Sequence, residues 1–449
     1  MPKLYKRVLL LAAPMALQSI ITYAVGMADN LMVGSLGELA LSGVYVANQL
    51  QNILHMLVTG LGAALVILAS QYWGKKDPEN TRAIVTIALK FSLGAGIVFL
   101  VATLLFPMEI LGFFTNDPGV KQEAWHYLQV IRYTYVFFTV TQILIASMRC
   151  VEQVRIGLVL SIITFFINVG LNWVFIFGNL GAPALGIQGA ALATLIARMV
   201  ETPIMIFYVR VLDQRLNLRF SHFRQSHRNL VGDFFRFGFP VILGDIFWGI
   251  NLAIQGAILG RLGPTALASV SIANNLFSMV AVGVYGTAAA SAVIVGQTVG
   301  AQEYELLRTY TKQLQILFLF VGACSGALLY LVSDYILLLY NLTPETMVMA
   351  KQFLTVLSVM IVGTSYQMSV LTGIVRAGGS IYFVLINDLI FVWLVVLPSA
   401  YLAAFVFNAH PVIVFMCLKS DQILKCLVAV VKVNRFNWVQ NLTQETVQT

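Results

Sequence analysis

The chain has 449 residues, of which 59% are hydrophobic and only 10% charged, and its mean hydropathy is +0.85. A water-soluble domain carries about 25% charged residues, so this composition excludes a soluble enzyme and describes an all-α integral membrane protein. The net charge of +8 does not argue for nucleic acid, because the basic residues fall in short loops, where they set membrane orientation.

Apolar stretches of about 20 or more residues mark membrane spans. They fall near 7–33, 43–69, 84–107, 123–147, 155–178, 185–209, 232–259, 266–295, 311–333, 346–371, 381–405 and 411–433. The first follows Lys3, Lys6 and Arg7 as a signal peptide would. It stays apolar to about Val33 without a small-residue cleavage site, which reads as an uncleaved span. The sequence therefore predicts twelve transmembrane helices. The longest polar connector, near Asp213–Asp233, lies midway and is rich in Arg, His and Ser. The tail after Asn434 is polar and is expected to fray. Cys150, Cys324, Cys417 and Cys426 lack C-x-x-C spacing and read as apolar fillers.

Part of the chain is written twice. Gly34–Leu50 returns as Gly260–Leu276 with nine of seventeen positions identical at an offset of 226, and the same offset pairs Pro14 with Pro240, Gln71 with Gln297 and Gly74 with Gly300. An offset near half the length implies two homologous six-helix lobes, here 1–230 with a cytoplasmic linker and 231–449 with a tail. Lys and Arg concentrate in alternate loops, so both termini are expected on the cytoplasmic side of the cell membrane. The lobes then begin on the same side and form a parallel repeat, as in transporters with a substrate path between repeats.

Several intramembrane residues are candidates for chemistry. Asp29 lies in the first apolar span, where a carboxyl is costly unless paired, protonated or facing water. It is a candidate to load a proton or ligate a cation, or else to cap a helix end. Asn168 and Asn172 share one helix face at i, i+4 spacing, and Thr194 lies on the next helix. Their oxygens suit Na⁺ or a protonated carboxyl, while ordinary interhelical hydrogen bonding is the alternative. Asp245 and Asp388 are the other intramembrane acids, read as facing a substrate cavity or as paired locally. Pro14 removes a helix hydrogen bond and offers a bending point. Arg198 and Glu201, three apart, are expected to pair.

Other chemistries lack their residues. There is no G-x-x-x-x-G-K-[ST], H-E-x-x-H or G-x-S-x-G in the chain. His55, His126, His222, His227 and His410 are dispersed. No enzyme, cofactor or nucleic-acid partner is expected, and a monomer is the expected state.

Three further elements join the repeat. They are Pro14 followed fifteen residues later by Asp29-Asn30-Leu31-Met32-Val33-Gly34; Asn168-Val169-Gly170-Leu171-Asn172 followed by Gly186–Thr194; and Arg376-Ala377-Gly378-Gly379 with Asp388 and Trp393 beyond. Together they resemble the multidrug and toxic compound extrusion (MATE) family over nearly the whole chain. The resemblance implies a secondary active antiporter that exports lipophilic organic cations in exchange for H⁺ or Na⁺ by alternating access. It places cation coupling at Asp29, with Asn168, Asn172 and Thr194 as the remaining candidates to ligate Na⁺. The sequence departs from the family in two places. Asn172 stands where an acid is frequent, and the tenth span, 346–371, has no Asp or Glu, so a second acidic site with Asp245 is incomplete. The competing reading within the superfamily is a flippase for lipid-linked precursors. Beyond the exported cations, membrane lipids are the only expected partners.

Overall fold

A computed structural model describes residues 3–224, 228–337 and 343–443. Parts of the connector (225–227) and of the tail (444–449), together with His227, lie outside the described residues.

The N-terminal elements are α1 (Lys3–Gly34), α2 (Glu38–Gly74), α3 (Pro78–Leu105), α4 (Pro107–Phe114), α5 (Pro118–Ile131), α6 (Thr134–Cys150), α7 (Arg155–Phe177) and α8 (Ile187–Phe207). They are followed by α9 (Arg228–Gly260), α10 (Pro264–Gly300), α11 (Tyr304–Leu337), α12 (Pro344–Met368), α13 (Ile381–Leu389), α14 (Leu397–Tyr401), α15 (Pro411–Leu418) and α16 (Asp421–Asn434). Pro at the first helical position recurs with an oxygen cap before it. Asp77 accepts from the Asn80 N–H at 3.0 Å, Asp117 from the Val120 N–H at 2.9 Å and Thr343 from the Thr346 N–H at 3.3 Å. Each cap satisfies an N–H that the first turn leaves without a partner, and Pro has none to lose there. Gly178, in the left-handed conformation (φ 74°), stops α7.

Among the described residues ten helices are long and apolar enough to cross a membrane, and α5 with α6 supplies an eleventh if that bent pair is one span. The span expected over 123–147 is thus not straight: it bends by 57° between Ile131 and Thr134. At the bend Arg132 donates to the Thr103 carbonyl at 3.3 Å and lies over the rings of Trp125 and Tyr133. The span expected near 411–433 is built as two shorter helices, α15 and α16. The chain between α12 and α15 is wound partly as π-helix, at Ser369–Arg376, Ile390–Val396 and Leu402–Val406.

The described chain packs as two compact units. One comprises 17–69 and 77–242, the other 1–16, 70–76 and 243–449. The boundary in α1 falls two residues after Pro14, and the boundary in α9 falls two residues after Pro240, its counterpart in the repeat. α1 runs unbroken through Pro14. In the second unit the ends of α2 and α10 cross at their repeat-related glycines. A Cβ on Gly74 would lie 1.9 Å from the Gln297 carbonyl oxygen, and one on Gly300 would lie 1.8 Å from that of Gln71. The hydrophobic core of this unit gathers Phe353, Leu354 and Leu357 of α12 with Phe415 and Leu418 of α15 and Ala400 of α14.

The tail corrects the expectation of fraying. Trp438 is fully buried and donates its indole N–H to the Val433 carbonyl at 2.9 Å. The Gln440 N–H bonds the Gly378 carbonyl at 2.7 Å, and the Leu442 N–H bonds Gln71 Oε1 at 2.8 Å. Gly378 is required here, because a Cβ would meet the Trp438 ring at 2.2 Å. Burial of one large aromatic outweighs the polarity of its neighbours.

Candidate functional site

The unit built from 17–69 and 77–242 brings the four candidate coupling residues into one hydrogen-bonded chain. α7 and α8 pack closely because Gly189 has no side chain: a Cβ there would sit 2.4 Å from the Phe175 carbonyl oxygen. That approach lets Asn168 Nδ2 donate to Thr194 Oγ1 at 3.1 Å. Asn172, one turn on, donates from Nδ2 to Asn168 Oδ1 at 3.2 Å and from the same nitrogen to Asp29 Oδ1 of α1. Asn168 and Asn172 are buried, whereas Asp29 is half-buried.

Two acceptors on one amide nitrogen fix which way Asn172 faces. Its oxygen, Oδ1, is buried and has no hydrogen-bond partner. Buried amide oxygens are nearly always paired, so this one is open to a further donor or cation. An N–H donor recognises the ionised form of Asp29. The unpaired oxygen is the acceptor that a proton on Asp29, or a cation beside it, requires. Arg198 of α8 and Tyr127 of α5 are within electrostatic reach of Asp29. Arg198 pairs with Glu201 at 2.5 Å, as the i, i+3 spacing predicts, and its guanidinium also lies over the Phe138 ring at 5.4 Å. The His55 ring also packs against Phe138, with centroids 5.7 Å apart. Among the described residues no three His, Cys, Asp or Glu side chains converge. The residues linked to Asp29 by hydrogen bonds, Asn172, Asn168 and Thr194, would offer a Na⁺ neutral oxygens.

The other unit holds the remaining acids. Asp245 of α9 is half-buried, within electrostatic reach of Arg376 and Asp388. Asp388 of α13 accepts from Lys425 Nζ at 2.8 Å, and Lys425 also pairs with Asp421 at 3.2 Å. The side chain of Lys425 is 3% exposed and that of Asp388 is 44% exposed. Gln422 donates to Asp421 at 3.0 Å and accepts from Thr364 at 3.0 Å and Gln367 at 2.9 Å. Sequence reasoning named Asp388, with local pairing as one of its two readings, but missed Lys425 as the partner. The signal was the i, i+4 spacing of Asp421 and Lys425 inside an apolar stretch.

The family model for MatE matches residues 14–174 and 240–402. The two matches begin 226 residues apart (240 − 14), the offset of the internal repeat. The chain is 23% identical over 407 residues to the probable multidrug resistance protein YoeA of Bacillus subtilis, covering 89% of this chain and 87% of that protein. It is 26% identical over 413 residues to the multidrug resistance protein MdtK of Photorhabdus laumondii, covering 88% and 87%. A solved structure of a mutant of the Vibrio cholerae MATE transporter VcmN superposes with a TM-score of 0.88 at 18% identity, over 98% of both chains. An outward-facing multidrug resistance MATE family transporter of the MOP superfamily superposes with a TM-score of 0.86 at 18% identity, over 96% and 95%. At that identity the likeness speaks for the fold.

Proposed function

Since this chain belongs to the MatE family of multi-pass membrane proteins, we propose that it is a secondary active antiporter that expels lipophilic organic cations in exchange for H⁺ or Na⁺. The observation that carries the proposal is Asp29 in an apolar span, hydrogen-bonded to an amide whose own oxygen is buried and unpaired. When Asp29 is ionised it attracts cations and accepts from Asn172. When it takes a proton or Na⁺ its charge is cancelled, and Asn172 Oδ1, after rotation of the amide, supplies the matching oxygen. An organic cation drawn by the same negative charge is then disfavoured. By linkage each cation weakens the other, which is what exchange requires. The names of the curated relatives support drug efflux, and the Lys and Arg pattern supports a cell-membrane location with both termini cytoplasmic. Bending near Pro14 is the coordinate proposed for alternating access.

Substrate charge is tested with matched dyes. Cells lacking their own pumps, given this chain, should accumulate less of a planar cationic dye and the same amount of an anionic dye of equal size. Export of the anionic dye alone would overturn the assignment. Asn172→Asp tests the departure from the family pattern. A second carboxylate beside Asp29 should shift apparent Na⁺ affinity, or the preference between Na⁺ and H⁺, by about tenfold or more, which is about 1.4 kcal/mol. If neither changes, Asn172 serves packing alone.

A further inference from the structure

The acids in the unit formed by 1–16, 70–76 and 243–449 are matched by bases that the proposed coupling at Asp29 does not use. Three carboxylates and three cations are linked there in a chain of pairwise contacts. Asp245 faces Arg376 and Asp388. Lys425 bridges Asp388 and Asp421. Lys419 is within electrostatic reach of Asp421, donates from Nζ to Gln255 Oε1 at 3.3 Å, and lies over the Phe415 ring. The network is formally neutral.

Lys425 holds the central place in it. Its ammonium offers three donors and no acceptor, and two carboxylate oxygens take it at 2.8 and 3.2 Å. It is tied to Asp421 on its own helix and to Asp388 on α13, and a buried charge persists only when it is compensated in this way. Gln422 orders Asp421, and Thr364 and Gln367 order Gln422. Asp388 keeps nearly half its surface open, so a cation from outside could reach the pair if the ammonium were absent.

We propose that Lys425 is a tethered counter-cation, its ammonium taking the position between Asp388 and Asp421 that a bound monovalent cation would otherwise take, so that this unit carries no exchangeable inorganic cation. Ion coupling is then confined to Asp29. The inference rests on the antiport reading for its meaning, and its test is independent of that reading. Removing the ammonium leaves three carboxylates against two cations, a net charge of −1 that a small cation neutralises.

The test uses the full chain purified in detergent, in an Asp29→Asn background that removes the other site. Thermal midpoints are compared in NaCl and choline chloride of equal ionic strength, at mildly alkaline pH where ordinary carboxyls hold no proton. The Asp29→Asn parent should be indifferent to the choice of salt. Adding Lys425→Met should make the midpoint rise with Na⁺ concentration, because a ligand bound only by the folded state stabilises it. Adding Asp388→Asn as well should remove the response, and Lys425→Arg should behave as the parent. A Lys425→Met protein recovered only in Na⁺ would support the proposal. A Na⁺ response already present in the parent would overturn it. So would a Lys425→Met protein indifferent to Na⁺, or one recovered in neither salt. The response of the unmutated chain, compared with its Asp29→Asn variant, bears on the Asp29 reading and leaves this one untouched.

Discussion

Asp29→Asn is expected to reduce gradient-driven efflux to the level of cells without the protein, while membrane insertion and amount stay unchanged. The substitution preserves shape and an acceptor oxygen. Asn172 can still donate to it, and the chain through Asn168 to Thr194 can remain closed. The cost to stability should be about 1 kcal/mol or less, the net worth of an ordinary hydrogen bond. What is lost is the negative charge and the capacity to take up a proton. Efflux and thermal midpoint measured on the same preparation separate the two effects. Normal efflux by a well-expressed Asp29→Asn protein would remove Asp29 from the mechanism.

Gly74→Ala and Gly300→Ala are expected to cost about 3 kcal/mol or more each, the upper range for overpacking. Each new Cβ would fall within 2 Å of a backbone carbonyl oxygen, at Gln297 or Gln71. Backbone cannot step aside as a flexible side chain can, so the helix ends must part by more than an ångström. Parting would also strain the side-chain bonds of Gln71 to the Ala377 carbonyl and to the Leu442 N–H. Once the helices have separated for one methyl there is room for the other. The double variant should therefore cost less than the sum of the singles, a coupling that contacting sites show. Thermal unfolding in detergent measures all three. Wild-type midpoints for both single variants would mean that α2 and α10 do not cross as described.

The repeat was legible because it needs no geometry. Positions related by 226 residues meet at the α2–α10 crossing, and the matched prolines precede the unit boundaries in α1 and α9. The facing of Asn168 and Asn172 was legible from helical spacing. Their link to Asp29 came from the family resemblance and not from the spacing, since it depends on how α1 is rotated against α7. Lys425 was hidden because the apolar stretch 411–433 was read as a span before the lysines inside it were asked for partners. The tail was misread by counting polar residues, when a single Trp438 with a glycine to receive it decided the outcome. The bend between α5 and α6 has no Pro or Gly at its break, so the usual sequence marks of a kink were absent.

The central claim is that an ion gradient drives export through Asp29. Its most direct test is transport in proteoliposomes loaded with a cationic dye, with pH and Na⁺ gradients imposed separately on the full chain and on its Asp29→Asn variant. The account predicts dye movement against its own gradient under at least one of the two, abolished in the variant. Movement that ignores both gradients, or that the variant performs equally well, would contradict it.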